Sequence, residues 1–324
     1  MTDRLRVGVI GAGHFGRFHI LKVAASERAA LAGIADPNAA RAGEVAAEVG
    51  TQVLPVAELI AVSDAIIIAA PAEAHFPLAR QAMLEGKHVL IEKPIAATLE
   101  EARELARLAS EKALVLQVGH LERFSSAFAA VSANMGRPLY IEATRIAPFK
   151  PRGTDVSVIL DIMIHDLDLV LALLDAPLES VDAVGAAVAS EHEDIASARL
   201  HFATGAVATL TASRIAMKTE RKMRVFAQDS FLSVDFANRK LFQVARGEGT
   251  PIPTNPGFGL REFSWTDHDN LAAEHAAFIA SVADGAPVLV DAAAGTRALS
   301  AALDVARSMQ QRRARMIASG LLRL

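Results

Sequence analysis

The sequence predicts an α/β chain in two parts: an N-terminal doubly wound parallel sheet, then an α+β part built on a large, mainly antiparallel open sheet. Three observations carry this expectation. Short apolar runs alternate with helical patterns as far as Gly119. Continuous apolar runs such as Ala65 to Ala70 suit strands covered on both faces. From Val181 to Val244, strand patterns succeed one another with no helix between them. At 324 residues the chain has room for two ordinary domains, and the change of pattern divides it into 1–121 and 122–324.

The bulk composition narrows the partners. With 33 basic and 37 acidic residues the net charge is −4, so no broad basic field is available for a nucleic acid. The longest apolar stretch, Val156 to Leu174, carries Asp161, His165, Asp166 and Asp168, which a bilayer interior would not hold. No membrane insertion is expected. The absence of cysteine excludes disulfides, thiolate nucleophiles and Cys-bound metals. Met1 to Arg6 leads straight into a strand without a signal-peptide pattern, so a cytoplasmic protein acting on small molecules is expected.

The first strand, Leu5 to Ile10, runs into Gly11-Ala12-Gly13-His14-Phe15-Gly16 and a helix through Val23. This is G-x-G-x-x-G in the strand, turn and helix setting of a Rossmann domain. Gly11 makes the tight turn, Gly13 lets backbone approach a pyrophosphate, and Gly16 lets the helix pack on the strand, with His14 and Phe15 on its first turn. Asp36 ends the second strand, Leu31 to Ala35, where a carboxylate accepts hydrogen bonds from an adenosine ribose and repels a 2′-phosphate. NAD is therefore expected rather than NADP. Asp36-Pro37-Asn38 is also a common helix start, and the two readings are compatible.

The alternation continues with a helix from Asn38 to Val49 stopped by Gly50, the strand from Ala65 to Ala70 ended by Pro71, and a helix from about Ala74 to Glu85. The next strand, Val89-Leu90-Ile91, runs into Glu92-Lys93-Pro94. A helix from Leu99 to Lys112 and a strand from Leu114 to Gly119 follow. The pattern predicts six strands joined by five crossovers. Because open parallel sheets meet ligands at the carboxyl ends of their strands, Lys93 is the candidate centre of the chemistry.

Beyond Gly119, the turn Gly136-Arg137-Pro138 precedes a strand from Leu139 to Ala143, and a Pro- and Gly-bearing loop at 148–153 precedes a helix from Val156 to Leu174. Strands follow at 195–202, 206–215, 221–228 and 231–236, then a loop at 247–259 and helices at 270–283 and from 292 to about 315. The basic run Gln310 to Arg315 reads as the solvated end of a helix. Asp161 and His165 lie four apart on the helix 156–174 and share a face, with Asp168 close to it. A carboxylate beside an imidazole raises its basicity and orders its tautomer. In an alcohol oxidation His165 would take the hydroxyl proton while Lys93 polarises the forming carbonyl. The plainer alternative is a structural network on one helix. His165, Asp161 and Asp166 would not converge on zinc at this spacing, so no metal is expected.

The glycine motif followed by His19, the segment Ala70-Pro71-Ala72-Glu73-Ala74-His75, the Glu92-Lys93-Pro94 turn and Asp161-x-x-x-His165 together resemble the Gfo/Idh/MocA oxidoreductase family over nearly the whole chain. The resemblance implies that Lys93, Asp161 and His165 border nicotinamide and substrate, that Pro71, His75 and Glu92 lie near the cofactor, and that the chain forms a homo-oligomer. An open sheet without shielding on its second face agrees with self-association as a dimer or tetramer. More narrowly, Gln117 to Phe124 and Asp161 to Asp168 resemble the branch acting on nucleotide sugars, with Ser125-Ser126 where that branch often has Asn-Pro. That likeness implies oxidation of a secondary sugar hydroxyl, at C3 of a UDP-N-acetylhexosamine. Arg123, Arg145, Lys150 and Arg152 are candidates for the diphosphate, or solvated loop charges. A free polyol or monosaccharide substrate and a non-catalytic NAD(H)-binding regulator stay open as alternatives.

Overall fold

A computed structural model describes residues 4–150, 156–266 and 268–322. The chain divides into two compact units, one of Met1–Phe124 with Asp269–Leu299, the other of Ser125–His268 with Ser300–Leu324. The expected boundary at 121 lies near the first break, and a later segment returns to the first unit.

In the first unit β1 (Leu5–Ile10), α1 (His14–Ala24), β2 (Ala29–Ala35), α2 (Ala39–Val49), α3 (Val56–Val62), β3 (Ala65–Ile68), α4 (Ala72–Leu84), β4 (His88–Glu92), α5 (Leu99–Glu111) and β5 (Leu116–Gly119) follow in order. The sheet runs β2-β1-β3-β4-β5 and every pairing is parallel. Five strands form, one at each of the five runs named from the sequence, where a count of six was expected. Beyond β2 there is a single bridge, Ile34 with Val53, and Pro55 starts α3 two residues later. Register sets Val9 beside both Ile34 and Ile67, and Ile67 beside Leu90. These side chains share one core with Ile20 of α1 and Val45 of α2. Each fully buried residue of this size contributes about 1.5–3 kcal/mol. Local signals agree with the pattern: Asn38 caps α2 through Arg41 N–H, Gly50 ends it at φ 68°, and Thr98 with Glu101 forms a capping box on α5.

The second unit opens with α6 (Ser126–Asn134), capped by Ser125, and β6 (Pro138–Ile146). The helix expected at 156–174 is divided: a π-helical turn, Ile159–Met163, precedes α7 (Ile164–Leu174). Then come β7 (Leu178–Ala186), β8 (Ile195–Phe202), β9 (Val207–Ser213), β10 (Glu220–Ala227), β11 (Ser230–Asp235), β12 (Lys240–Arg246), β13 (Thr250–Pro251) and β14 (Phe258–Ser264). They form a nine-stranded sheet, β13-β14-β12-β11-β10-β6-β9-β8-β7, antiparallel except where β6 meets β9. Burial of Ala196, Ala198, Leu200 and Phe202 along β8 shows the period of two that covers one face. The expected loop at 247–259 holds β13 and the start of β14, where turns at Gly249 (φ 83°) and Gly257 (φ 86°) hid a strand pair from a reading by apolar alternation.

Two helices complete the chain: α8 (Asn270–Asp284), which sends Phe278 and Ile279 into the core of the first unit, and α9 (Ala292–Ala318). No helix among the described residues is long and apolar enough to cross a membrane.

Candidate active site

The glycine loop after β1 has a separate steric reason for each glycine. Gly11 sits at φ 102°, and a Cβ there would lie 2.4 Å from the Ala69 carbonyl oxygen. A Cβ on Gly16 would come within 2.0 Å of the Gly11 carbonyl oxygen, so this glycine lets α1 close onto the loop. Gly13 differs: a Cβ there meets nothing within 4 Å, so the space beside it is open. Gly13 is also the N-cap of α1, with no side chain capping the helix. Free amide groups at a helix N-terminus beside open space are suited to a phosphate. His14 and Phe15 stand exposed on the first turn of the helix.

Asp36, at the end of β2, braces this loop. One carboxylate oxygen accepts from Ala12 N–H at 2.6 Å and the other from Asn38 N–H at 2.8 Å. Asp36 thus leads into α2 while Asn38 supplies its cap, so the helix-start reading and the carboxylate at the loop coexist. Arg41 Nε donates to the Ala12 carbonyl at 2.9 Å.

At the ends of β3 and β4 the structure gathers Pro71, His75, Glu92 and Lys93. Pro71 is exposed at the start of α4. His75 is buried, with Nδ1 2.7 Å from the Pro94 carbonyl oxygen and Nε2 2.8 Å from that of Ala70. It therefore ties the Lys93-Pro94 turn to the end of β3. Lys93 is half-buried, and its N–H donates to Glu92 Oε2 at 3.3 Å.

The other Glu92 oxygen lies 2.8 Å from His19 Nε2, and His19 Nδ1 lies 2.8 Å from His275 Nε2 on α8. Burial alone would raise the Glu92 carboxyl, but the His19 hydrogen bond and charge, with Lys93, outweigh it and hold Glu92 below the usual carboxylate range. Burial pushes His275 down to about 3, with help from the neighbouring His19. Glu274 is fully buried, neither carboxylate oxygen has a hydrogen-bond partner, and burial plus the nearby Glu92 charge push its carboxyl well above the usual range. His19, Glu92 and Glu274 bring ligand-type atoms within 4.8 Å of one another. His19 and Glu92 are spent on each other and His19 on His275, while Glu274 stands beside that hydrogen-bonded pair without joining it.

Glu274 and His275 escaped the reading by motif. The signal present was a charged residue four before Phe278, on the apolar face of an alanine-rich helix. Gln117, buried in the middle of β5, was a similar signal, and its Nε2 donates to the Glu274 main-chain carbonyl at 3.1 Å.

The remaining candidates lie on other elements. Arg123 is half-buried on a 3-10 turn, Leu121–Phe124, of the first unit. In the second unit Asp161 lies on the π-helical turn and His165 on the first turn of α7, both half-buried. Single π-turns at the edge of an α-helix are frequent at functional sites. Lys150 is exposed, and Arg152 lies outside the described residues. Arg145 is not a loop charge: it is buried on β6 and holds Asp166 through Nη2 at 2.8 Å and Nε at 3.1 Å. That pair also commits Asp166, one of the three residues weighed for zinc.

Residues 5–120 match the family described as "Oxidoreductase family, NAD-binding Rossmann fold", and residues 129–232 match the "GFO/IDH/MocA C-terminal domain". The chain is 46% identical over 303 residues to UDP-N-acetylglucosamine 3-dehydrogenase of Acidithiobacillus ferrooxidans, covering 93% of this chain and 96% of that one. A solved structure of UDP-N-acetylglucosamine 3-dehydrogenase from that organism superposes with a TM-score of 0.90 at 44% identity, covering 96% of this chain and 99% of the other. More distant is inositol 2-dehydrogenase of Rhizobium meliloti, 27% identical over 95% of this chain and 98% of its own length.

Two outcomes follow. Gly13→Val should leave thermal unfolding near that of the wild type, since open space receives the side chain, while dinucleotide binding by calorimetry weakens at least about tenfold through the lost backbone approach. Glu274 keeps a proton in the folded protein that the unfolded chain releases above the ordinary carboxylate range. Its contribution to stability is therefore full below that range and falls as pH rises toward the raised folded value, by about 1.4 kcal/mol per pH unit. Denaturant midpoints should decline with pH in the wild type and decline less in Glu274→Gln across that window.

Proposed function

The chain belongs to the Gfo/Idh/MocA oxidoreductase family, and from that premise we propose that it is an NAD-dependent dehydrogenase that oxidises the C3 hydroxyl of a UDP-linked N-acetylhexosamine. The observation that carries the substrate is the 46% identity, spanning 93% of the chain, to an enzyme of that name. The inositol dehydrogenases, which motivate the alternative of a free polyol, stand at 27%.

The glycine loop fits a dinucleotide: Gly11, Gly13 and Gly16 shape a cradle open at Gly13, and the N-terminus of α1 faces a pyrophosphate. His14, Phe15, Pro71, His75 and Glu92 complete the cofactor side in this reading. Asp36 favours NAD over NADP, because its ionised carboxylate accepts from a ribose hydroxyl and repels a phosphate ester there. NAD, when bound, supplies the hydride acceptor. Lys93 polarises the oxygen of the carbon being oxidised, His165 takes the hydroxyl proton, and Asp161 orients His165 and stabilises its protonated form. Arg123, Lys150 and Arg152 are proposed diphosphate contacts, since guanidinium groups pair with phosphate in two-point fashion. The regulator alternative gives Lys93, Asp161 and His165 no task.

The same reading places the enzyme in the cytoplasm as a homo-oligomer.

Lys93→Ala tests the assignment of roles. NAD affinity measured by calorimetry should stay near the wild-type value while turnover with UDP-N-acetylglucosamine falls on the order of a hundredfold. Wild-type turnover in that variant would remove Lys93 from the chemistry.

A further inference from the structure

The returning helix α8 sets a second buried carboxyl group against the strand end that carries Lys93. We propose that Glu274 is a positioning residue for Lys93 and acts as an uncharged carboxylic acid: it sits behind Glu92, opposite the His275–His19 pair, and keeps the Glu92 carboxylate beneath the main chain of Lys93. The proposal rests on the role given to Lys93 above.

The geometry carries the argument. Glu92 is bound on two sides, by His19 Nε2 at 2.8 Å and by Lys93 N–H at 3.3 Å. Its carboxylate therefore has defined donors and remains ionised. Glu274 approaches from α8, with a carboxyl oxygen within 4.8 Å of the Glu92 and His19 atoms. It is fully buried and meets no donor within hydrogen-bond distance among the described residues. Two carboxylates this close, one of them without a donor, cannot both hold charge. Glu274 is the one that yields.

A neutral Glu274 brings a hydroxyl hydrogen to a place rich in acceptors. Gln117 Nε2 holds the main chain of Glu274 at 3.1 Å, while Gln117 Oε1 is itself buried without a donor. An uncharged carboxylic acid in an apolar site is an effective donor, and a small rotation lets Glu274 serve either Gln117 or Glu92. The space is close on the other side too: a Cβ on Gly119 would lie 3.1 Å from the Glu92 carboxyl group. Glu92 is thus confined by β5, α1 and α8 together. The charged group that acts on Glu274 is Glu92, and His19 lies within the same 4.8 Å. Lys93 acts on Glu92, while Lys22 and Asp269 act on His275, the next residue of α8.

The test compares Glu274→Gln, Glu274→Leu and Lys93→Ala in the full chain, by NADH formation from NAD and UDP-N-acetylglucosamine across pH, with NAD affinity and melting temperature measured beside it. Gln keeps the neutral, hydrogen-bonding shape and should restore kcat to within about threefold of wild type. Leu fills the space without a donor and should lower kcat by up to about a hundredfold, the scale of a displaced reacting group, with KM for NAD little changed. As pH rises, kcat of the wild type should fall at a pH where that of Glu274→Gln does not, because only the wild type can ionise there.

Four results overturn the proposal. Equal losses of kcat in Gln and Leu would mean that a charged carboxylate is needed. Wild-type kcat in both, with Lys93→Ala impaired, would make Glu274 structural while the role of Lys93 stands. One equivalent of divalent metal in tag-free protein, lost in both variants, would make Glu274 a ligand. Full turnover in Lys93→Ala would overturn it by the other route, through failure of the assigned chemistry.

Discussion

An ionised, half-buried carboxylate at the end of a parallel strand is the constraint on which the first unit depends. β4 carries Val89, Leu90 and Ile91 through the middle of the sheet and then presents Glu92, largely withdrawn from water, at its end. Leaving that charge without donors would cost several kcal/mol. His19 from α1 and the main chain of Lys93 supply them, and α8 closes the remaining side. The same strand end also presents Lys93, while His75 ties the turn that follows to the end of β3. The main chain of Lys93 is fixed by its hydrogen bond to Glu92, which suits a group that must meet a reacting oxygen.

The alternating first half was legible because its strands are mostly apolar runs and its helices begin and end at turn-forming residues. Asn38 and Gly50 mark ends that the structure reproduces. The expected count of six strands exceeded the five apolar runs that carry them, and the chain beyond β2 adds only the bridge of Val53 before Pro55 starts α3. In the second half, strands with period-two burial such as β8 were readable, whereas β13 and β14 were hidden behind glycine turns. The π-helical turn at Ile159–Met163 has no sequence signature at the level of hydrophobic period, so the helix there was read as continuous.

Site residues with a motif were legible; those acting through space were not. Gly11, Gly13, Gly16, Asp36 and Lys93 could be named from local pattern because their neighbours in sequence are also their neighbours in space. Glu274 meets Glu92 across most of the chain, and nothing local to either residue announces the other. Arg145 shows the opposite error: a cation near a promising loop looks available until its buried partner, Asp166, is seen.

In the proposed reaction this strand-end lysine serves the oxidation of a nucleotide sugar. The most direct measurement is NADH absorbance with purified protein, NAD, 2-oxoglutarate as a sink for retained hydride, and separately UDP-N-acetylglucosamine, UDP-glucose, myo-inositol and glucose. The account predicts NADH with UDP-N-acetylglucosamine and little with the free polyol or monosaccharide. NADH from myo-inositol or glucose alone would contradict it.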